Sequence, residues 1–458
     1  MRYLRRKPGR GLAVIYSVDE IRRAGRKTHT NDPDRAVSLT LDEQALEGAH
    51  IRFSAAQAEQ APLEILPSGV LRAHELGLSV QAFPADDGLP ALAVSCDTTP
   101  GSVLFQALEI AAQARLQTNA WRLAFAKAIP VRYKPTSRCV TRYHLVLEHA
   151  EDEDATLKNV TIFGKVYADS EQARSVQALQ QQLYEEQAKA GQEVPLLPRP
   201  LGMIAGDHDG RPYCVTFNEA VQPVRKEQPL LTGTRALRPQ LKRGRGGNLL
   251  EVILPEEELR LTAHALARLH TSTVRPNENT PRTGAKEAER ARERASLIAG
   301  HNPMLAEEVQ QLAQELATRL EALQPDAYRP AHGGFKASQL LFHSSQVFVV
   351  DFDGFCMADP ALDVGYFLAY LRPSGLWYQR PGMRAWFEQA AEVFVNTYRQ
   401  AMHDRGIDHA VIDGILEHTR LYEAALLFKI ATRRVNRLNS PRPQELAAML
   451  SEIAACLS

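Results

Sequence analysis

The spacing of apolar residues changes part-way along the chain, and that change limits the folds open to it. From Ile129 the pattern reads strand, turn, strand, with Val140–Val146 as the return strand. Val160–Tyr167 and Tyr213–Phe217 follow as further strands of alternating or continuous apolar character. One helix interrupts them. Its stripe is Ala173, Val176, Leu179 and Leu183, Asp169 or Ser170 can cap its start, and the Pro-rich stretch Val194–Pro200 ends it. From Glu256 onward the period becomes helical: Glu256–His270, a charged pair of helices over Ala285–Leu323 broken at Gly300-His-Asn-Pro303, and two long helices near Arg384–Arg405 and His409–Asn436. A small sheet followed by a helical half predicts an α+β layout.

A chain of 458 residues exceeds one compact core, so two or three domains are expected. Residues 1–100 read as an N-terminal β-containing extension, with short strands at Leu12–Val18, Ala36–Leu41 and Leu78–Phe83. Residues 101–127 read as a connecting helix, from the helical spacing of Leu104, Leu108, Ala111, Ala112 and Leu116. Residues 128–222 then form a small β-rich lobe and 223–458 a helical lobe. Arg2-Tyr3…Lys7-Pro8, running into Leu12–Tyr16, echoes Arg132-Tyr133-Lys134-Pro135, running into Val140–Val146. A partial duplication of a hairpin and two ordinary basic hairpins both account for the echo. Lys226–Gly247 reads as a basic loop carrying Arg235, Arg238, Lys242, Arg243 and Arg245, either a surface excursion or a lid over anionic groups.

Charge and cysteine usage narrow the function. Lys+Arg and Asp+Glu both number 54, which argues against a general nucleic-acid binder. Five separated cysteines without a CxxC pair argue against a disulfide framework or zinc, and a reducing, cytoplasmic setting fits them. No segment approaches the ~20 apolar residues of a membrane span, and the basic N-terminus lacks the apolar run of a signal peptide. His144, Glu148 and the acidic run Asp152–Asp154 show no metal-ligand spacing.

The chemistry-bearing segment is His332-Gly-Gly-Phe-Lys-Ala-Ser-Gln339, followed by the apolar strand Val347–Val350, Asp351-Phe-Asp-Gly354 and Asp359-Pro-Ala-Leu-Asp363. In this order and spacing it resembles the catalytic core of the aminoglycoside phosphotransferase and choline-kinase family, whose loop reads His-Gly-Asp-x-x-x-x-Asn. The resemblance implies a bilobal protein-kinase-like fold, with ATP or another NTP and Mg2+ as cofactors. It implies Asp351 and Gln339 as metal ligands, since an Asp at the end of a buried strand fixes the hard oxygen that Mg2+ prefers. His332, Lys336 and Asp353 fall at catalytic-loop positions, with Asp353 open between sharing the metal and capping the next loop. Asp363 is expected to orient the loop or cap a helix. Lys165, on the third strand, matches the lysine that kinases place on the phosphates; Glu185, Glu186 and Gln181 are the candidates for its partner. Lys134, Ser137 and Arg138 occupy the phosphate-loop position, here without glycine, and Glu219 and Ala220 fall where a hinge meets adenine. His270 is expected to be structural.

Two residues depart from that family. Gln339 replaces the metal-ligand Asn and keeps an amide oxygen on a longer arm, which impairs metal binding without abolishing it. Gly334 stands where the catalytic base Asp is expected and cannot accept a proton. A general base is worth about 10²–10⁴ in rate, whereas phosphoryl transfer relies mainly on positioning and charge neutralisation. Two readings follow: a weakened small-molecule kinase acting on a sugar, aminoglycoside or amino alcohol, and a pseudokinase that senses nucleotide or binds a protein partner.

Overall fold

The computed structural model describes residues 3–7, 11–17, 36–41, 64–65, 71–73, 78–150, 156–189, 195–208, 210–221, 230–243, 250–276, 281–343, 345–372, 381–436 and 445–458. The acidic run at 152–154, Lys226 and the glycines at 244, 246 and 247 lie outside them. The chain divides into two compact units, one of residues 1–178 with 199–220, the other of 179–198 with 221–458.

The first unit holds two antiparallel sheets. Six strands, β1 (Tyr3–Lys7), β2 (Gly11–Ser17), β3 (Ala36–Leu41), β4 (Glu64–Ile65), β5 (Leu71–Ala73) and β6 (Leu78–Ala82), are ordered β1-β2-β3-β6-β5-β4. Helix α1 (Val103–Leu116) follows. The second sheet contains β7 (Trp121–Lys134), β8 (Arg138–His149), β9 (Leu157–Tyr167), β10 (Pro200–His208) and β11 (Arg211–Glu219), ordered β10-β11-β9-β8-β7. Leu104, Leu108 and Ala111 of α1 share a buried core with Leu145, Leu147, Ile162 and Val215 of this sheet. In both echoing segments the lysine of the Lys-Pro step closes a hairpin, Lys7 opposite Gly11 and Lys134 opposite Arg138.

Two expectations change here. The connecting helix does not reach residue 127. Gln117 takes a left-handed conformation (φ 56) that closes α1, and the chain continues as β7. Two register shifts in β7, between Leu123 and Phe125 and between Pro130 and Arg132, break the alternation and give its apolar residues an irregular, helix-like spacing. Strand β10 also has no counterpart in the sequence reading, because Gly202, Ala205 and Gly206 leave little hydrophobic alternation to detect.

Helix α2 (Ser170–Lys189) starts where Asp169 Oδ1 accepts the amides of Glu171 (2.9 Å) and Gln172 (3.2 Å). In the second unit α3 (Glu256–His270) has three glutamates in its first turn and Arg268 and His270 in its last, in keeping with the helix dipole. The helices α4 (Gly284–His301) and α5 (Ala306–Glu321) pack as an αα-hairpin. Short strands interrupt the helices: β12 (Leu231–Thr232), the pair β13 (Gln240–Arg243) and β14 (Leu250–Ile253), β15 (Arg329–Ala331), β16 (Leu340–His343), β17 (Gln346–Val349) and β18 (Cys356–Ala358). The β13–β14 hairpin lies partly in the segment expected to be loop. Then come α6 (Ala361–Leu371), α7 (Met383–His403), α8 (His409–Asn436) and a further helix, α9 (Leu446–Leu457), which packs on α8. A β-sheet unit and a helical unit match the expected α+β, kinase-like class. No helix among the described residues is long and apolar enough to cross a membrane.

Candidate functional site

The catalytic-loop segment is drawn together by two short pairings. Strand β15 pairs with β18, so Ala331 faces Cys356 and both ends of residues 332–355 meet. Inside that loop β16 and β17 form a hairpin, Leu340 opposite Val349, and the Val350 amide donates to the Gln339 carbonyl (2.9 Å). Gln339 and Asp351 therefore flank one hairpin end, although eleven residues separate them in sequence. Gly333 has φ 71, and any Cβ there would run into the Gly354 carbonyl oxygen. Asp351 is also left-handed (φ 72, ψ 56), at the start of a 3₁₀ turn over Phe352–Gly354. A non-glycine residue held there stores backbone strain, which structures retain mainly at functional positions.

Asp363, fully buried in the first turn of α6, braces the loop from within. Its Oδ2 accepts the His332 amide (2.5 Å) and its Oδ1 the Phe335 amide (3.3 Å), while His270 Nε2 lies 3.5 Å away. Burial alone would raise its pKa, but the neighbouring His270 and His332 rings and the loop amides outweigh burial and hold the carboxyl below its usual range. His270 is a buried strut, its Nδ1 2.7 Å from the Tyr398 hydroxyl. His332, expected among the catalytic groups, is buried as well. Its Nε2 donates to the Val350 carbonyl (3.2 Å), its ring packs 5.0 Å from Phe352, and burial lowers its pKa. Its side chain thus contacts the residue just before Asp351 and the residue just after it. Asp359, also buried, accepts the Ala361 amide (3.0 Å) and meets His418 Nδ1 at 2.7 Å.

Arg282 clamps the same loop from the side. It donates to the Gly333 carbonyl (2.7 Å), the Tyr366 hydroxyl (2.9 Å) and Glu287 (2.7 Å). Burial of its guanidinium is outweighed by Tyr366 and Glu287, which raise its pKa and fix its charge. Nothing in the local sequence ties Arg282 to the loop, because Gly333 and Tyr366 lie 51 and 84 positions away. Gly334 sits without a positive φ, and a Cβ there would find only Gln339 Nε2, at 3.9 Å. Lys336 lies half-buried with its ammonium 5.5 Å from the Tyr370 ring, and Asp353 lies in the turn after Asp351.

Metal fitness can be judged from the donors. Gln339 is buried and its Oε1 has no hydrogen-bond partner. An orphaned amide oxygen beside the strand end that carries Asp351 is the hard, neutral donor that suits Mg2+. Among the described residues no group of three His, Cys, Asp or Glu side chains forms a protein cage. Mg2+ bound by one or two carboxylates plus substrate phosphates needs none.

In the first unit Lys165 stands on β9 opposite Val140 and Thr216, with its ammonium 4.8 Å from the Tyr167 ring. Of its candidate partners, Glu186 accepts from Ser272 and Thr273 (2.5–2.6 Å), and Gln181 donates to Glu185 (2.8 Å). Lys134 and Arg138 close the β7–β8 hairpin, with the Ser137 amide bonded to the Lys134 carbonyl (3.1 Å). Glu219 spends its amide on the Arg199 carbonyl (2.8 Å) and its carboxylate on Arg115 (3.1 Å), so the buried Ala220 is the better placed of the two for a backbone contact. Sequence reasoning missed Asp86. This buried carboxylate accepts from Tyr133 Oη (2.7 Å), the Thr136 amide (2.9 Å) and the Gly88 amide (2.9 Å), and so holds the hairpin tip from outside. Gly88 packs so closely that a Cβ would lie 2.6 Å from the Thr136 Cα.

A catalytic loop braced by a helix-start aspartate, feeding a strand that ends in a left-handed Asp, defines a kinase-like phosphotransferase core. The profile of the phosphotransferase enzyme family matches residues 157–405, more than half of the chain, and the chain belongs to that family. No curated protein matches it. Among solved structures it is similar to a glucosamine kinase in complex with glucosamine, ADP and inorganic phosphate (16% identity, 86% of this chain and 93% of that one, TM-score 0.46). An amicoumacin kinase in complex with AMP-PNP and Ca2+ is similar at 14% identity (72% and 88% covered, TM-score 0.42). A choline/ethanolamine kinase family protein from Mesorhizobium loti is similar at 14% identity (68% and 83% covered, TM-score 0.39).

Proposed function

We propose that this chain transfers the terminal phosphate of ATP, or of another NTP, to a hydroxyl of a small polar molecule, at a rate held down by Gly334. The observation that carries the reading is the orphaned Oε1 of Gln339 on the hairpin end that leads into Asp351. Most buried acceptors in native proteins are paired, so one without a protein partner is open to water, an ion or a ligand. In this reading Asp351 and Gln339 hold Mg2+, which when bound neutralises phosphate charge, and Lys165 serves the phosphates. Asp363, Arg282 and His332 keep the loop rigid. As the acceptor oxygen bonds to the terminal phosphorus, the bond from that phosphorus to the bridging oxygen breaks and releases the nucleoside diphosphate. The acceptor's proton passes to Asp353 or to a phosphate oxygen, because residue 334 offers no base.

Thermal melting with ATP plus Mg2+, against ATP plus EDTA, tests the reading. At 100 times Kd the nucleotide should add about 2.7 kcal/mol, and Asp351→Ala should remove that gain while leaving the fold intact. A folded Asp351→Ala variant with undiminished stabilisation refutes the metal role.

The second reading, a nucleotide-binding pseudokinase, is favoured by Gly334 itself. Gly334→Asp separates the two. The position has room for a Cβ and no positive φ to strain it. A weakened kinase gains turnover up to the ~10²–10⁴ of a general base; a pseudokinase gains none.

A further inference from the structure

Beside the catalytic loop the second unit gathers cations that exceed their counter-charges. Tyr366 and Tyr370, one turn apart on α6, are its centre. Lys429 of α8 donates to Tyr366 Oη (3.2 Å) and lies 5.1 Å from that ring, and Arg433 donates to Tyr370 Oη (2.8 Å). Among the described residues Arg294 of α4 bonds only the Ala425 carbonyl (3.0 Å). Glu287 takes Arg282 and Arg290 on Oε1, and its charge also acts on Arg294 and Lys429, so one carboxylate serves four of these cations. Among the described residues none of Arg294, Lys429 and Arg433 has a carboxylate within ion-pair distance. Lys429 and Arg294 are half-buried, so water does not screen them as it screens an exposed basic face. The cluster joins the loop twice, through Tyr366–Arg282–Gly333 and through Tyr370–Lys336.

We propose that the acceptor carries an oxyanion, a phosphate or a carboxylate, and that Arg294, Lys429 and Arg433 bind it beside the catalytic loop. This rests on the phosphotransferase reading above and names its substrate class. Crowding like charges into a half-buried site is unfavourable unless a ligand of opposite sign completes it. Lys429 registers that cost: burial first, then Arg294, Arg433 and Arg282, push its pKa down to about 7. A bound phosphate or carboxylate reverses the balance, because arginine presents it a planar fork and lysine a point charge. The same field disfavours an amino sugar or amino alcohol at this place.

Calorimetric titration of the full chain with glucose 6-phosphate, gluconate, glucose, glucosamine and MgATP tests the site. Glucose 6-phosphate or gluconate should bind at least about tenfold tighter than glucose and glucosamine, and the tighter of the two tells phosphate from carboxylate. Lys429→Met should weaken that anion about tenfold, and Arg433→Gln, at an exposed position where folding is not at risk, should weaken it in the same direction. MgATP affinity should be unchanged in both variants. Failure of both anions to bind, glucosamine binding as tightly as they do, or anion affinity unmoved in the two variants overturns the proposal. Anion binding that is lost in the variants, in a chain that ignores MgATP, retains this site and refutes the phosphotransferase reading instead.

Discussion

The hairpin tip at residues 134–138 and the loop at residues 332–339 are each pinned by one buried aspartate that accepts backbone amides. Asp86 takes Gly88 and Thr136; Asp363 takes His332 and Phe335. Both pay the desolvation cost of burial, yet their carboxyls move in opposite directions. Burial raises Asp86, whose partners are amides and the Tyr133 hydroxyl, whereas Asp363 ends below its usual range with the rings of His270 and His332 beside it. At Asp86 the hydrogen bonds do not offset the loss of water, whereas at Asp363 the two histidine rings and the loop amides together do. The anchor of the catalytic loop is thus held below the usual carboxylate range and that of the hairpin tip above it.

The largest test of that contrast is Asp363→Ala. It strands the His332 and Phe335 amides and removes the charge beside His270, so unfolding by urea should show a loss of about 3–5 kcal/mol. A loss under about 1 kcal/mol would mean that the loop stands without its anchor. Asp86→Ala leaves two amides and a hydroxyl unpaired in a site with more access to water, and should cost about 1–3 kcal/mol. It should also raise the ATP concentration needed for half-maximal stabilisation, because the hairpin tip loses its outside support.

Acid titration sharpens the comparison through its sign. The folded pKa of Asp363 is depressed, so its contribution is complete above about pH 4 and is lost as pH falls through the folded value. The folded pKa of Asp86 is raised, so stability linked to it is greatest below about pH 4 and declines as pH rises through the folded value towards neutrality. Urea midpoints against pH should therefore flatten on the acid side in Asp363→Asn, and lose the decline above about pH 4 in Asp86→Asn. Identical pH profiles in the two variants would show that the carboxyls share one electrostatic state.

What was legible in the sequence follows from the same geometry. The catalytic loop, Asp351 and Asp363 lie within 31 residues of one another, close enough for one family motif to span them, and that resemblance implies an Asp363 that orients the loop or caps a helix. Asp86 acts across 50 positions and Arg282 across 51 and 84, distances over which no periodicity links donor to acceptor. The helix read through residue 127 failed for a related reason: bulges in β7 reset the side-chain alternation, and only strand pairing reveals them.

The smallest effect belongs to the one residue that breaks the parallel between the loops. Each has a left-handed residue at its turn, Gly333 (φ 71) in the catalytic loop and Thr136 (φ 55) in the hairpin tip. Glycine adopts that conformation freely, while a β-branched side chain meets the following carbonyl at a cost of about 1–2 kcal/mol. Thr136→Gly relieves this strain and loses roughly 0.5–1 kcal/mol to the greater freedom of the unfolded chain. The net expectation is a gain of up to about 1 kcal/mol, read as a higher urea midpoint at constant m-value, with the Asp86 bond to the residue 136 amide kept because it uses the backbone. A destabilised Thr136→Gly variant would show that the threonine side chain, packed against Gly88, holds the tip more than its backbone strain opposes it. Asp86 would then be a secondary support, and its Ala variant should cost less than Thr136→Gly.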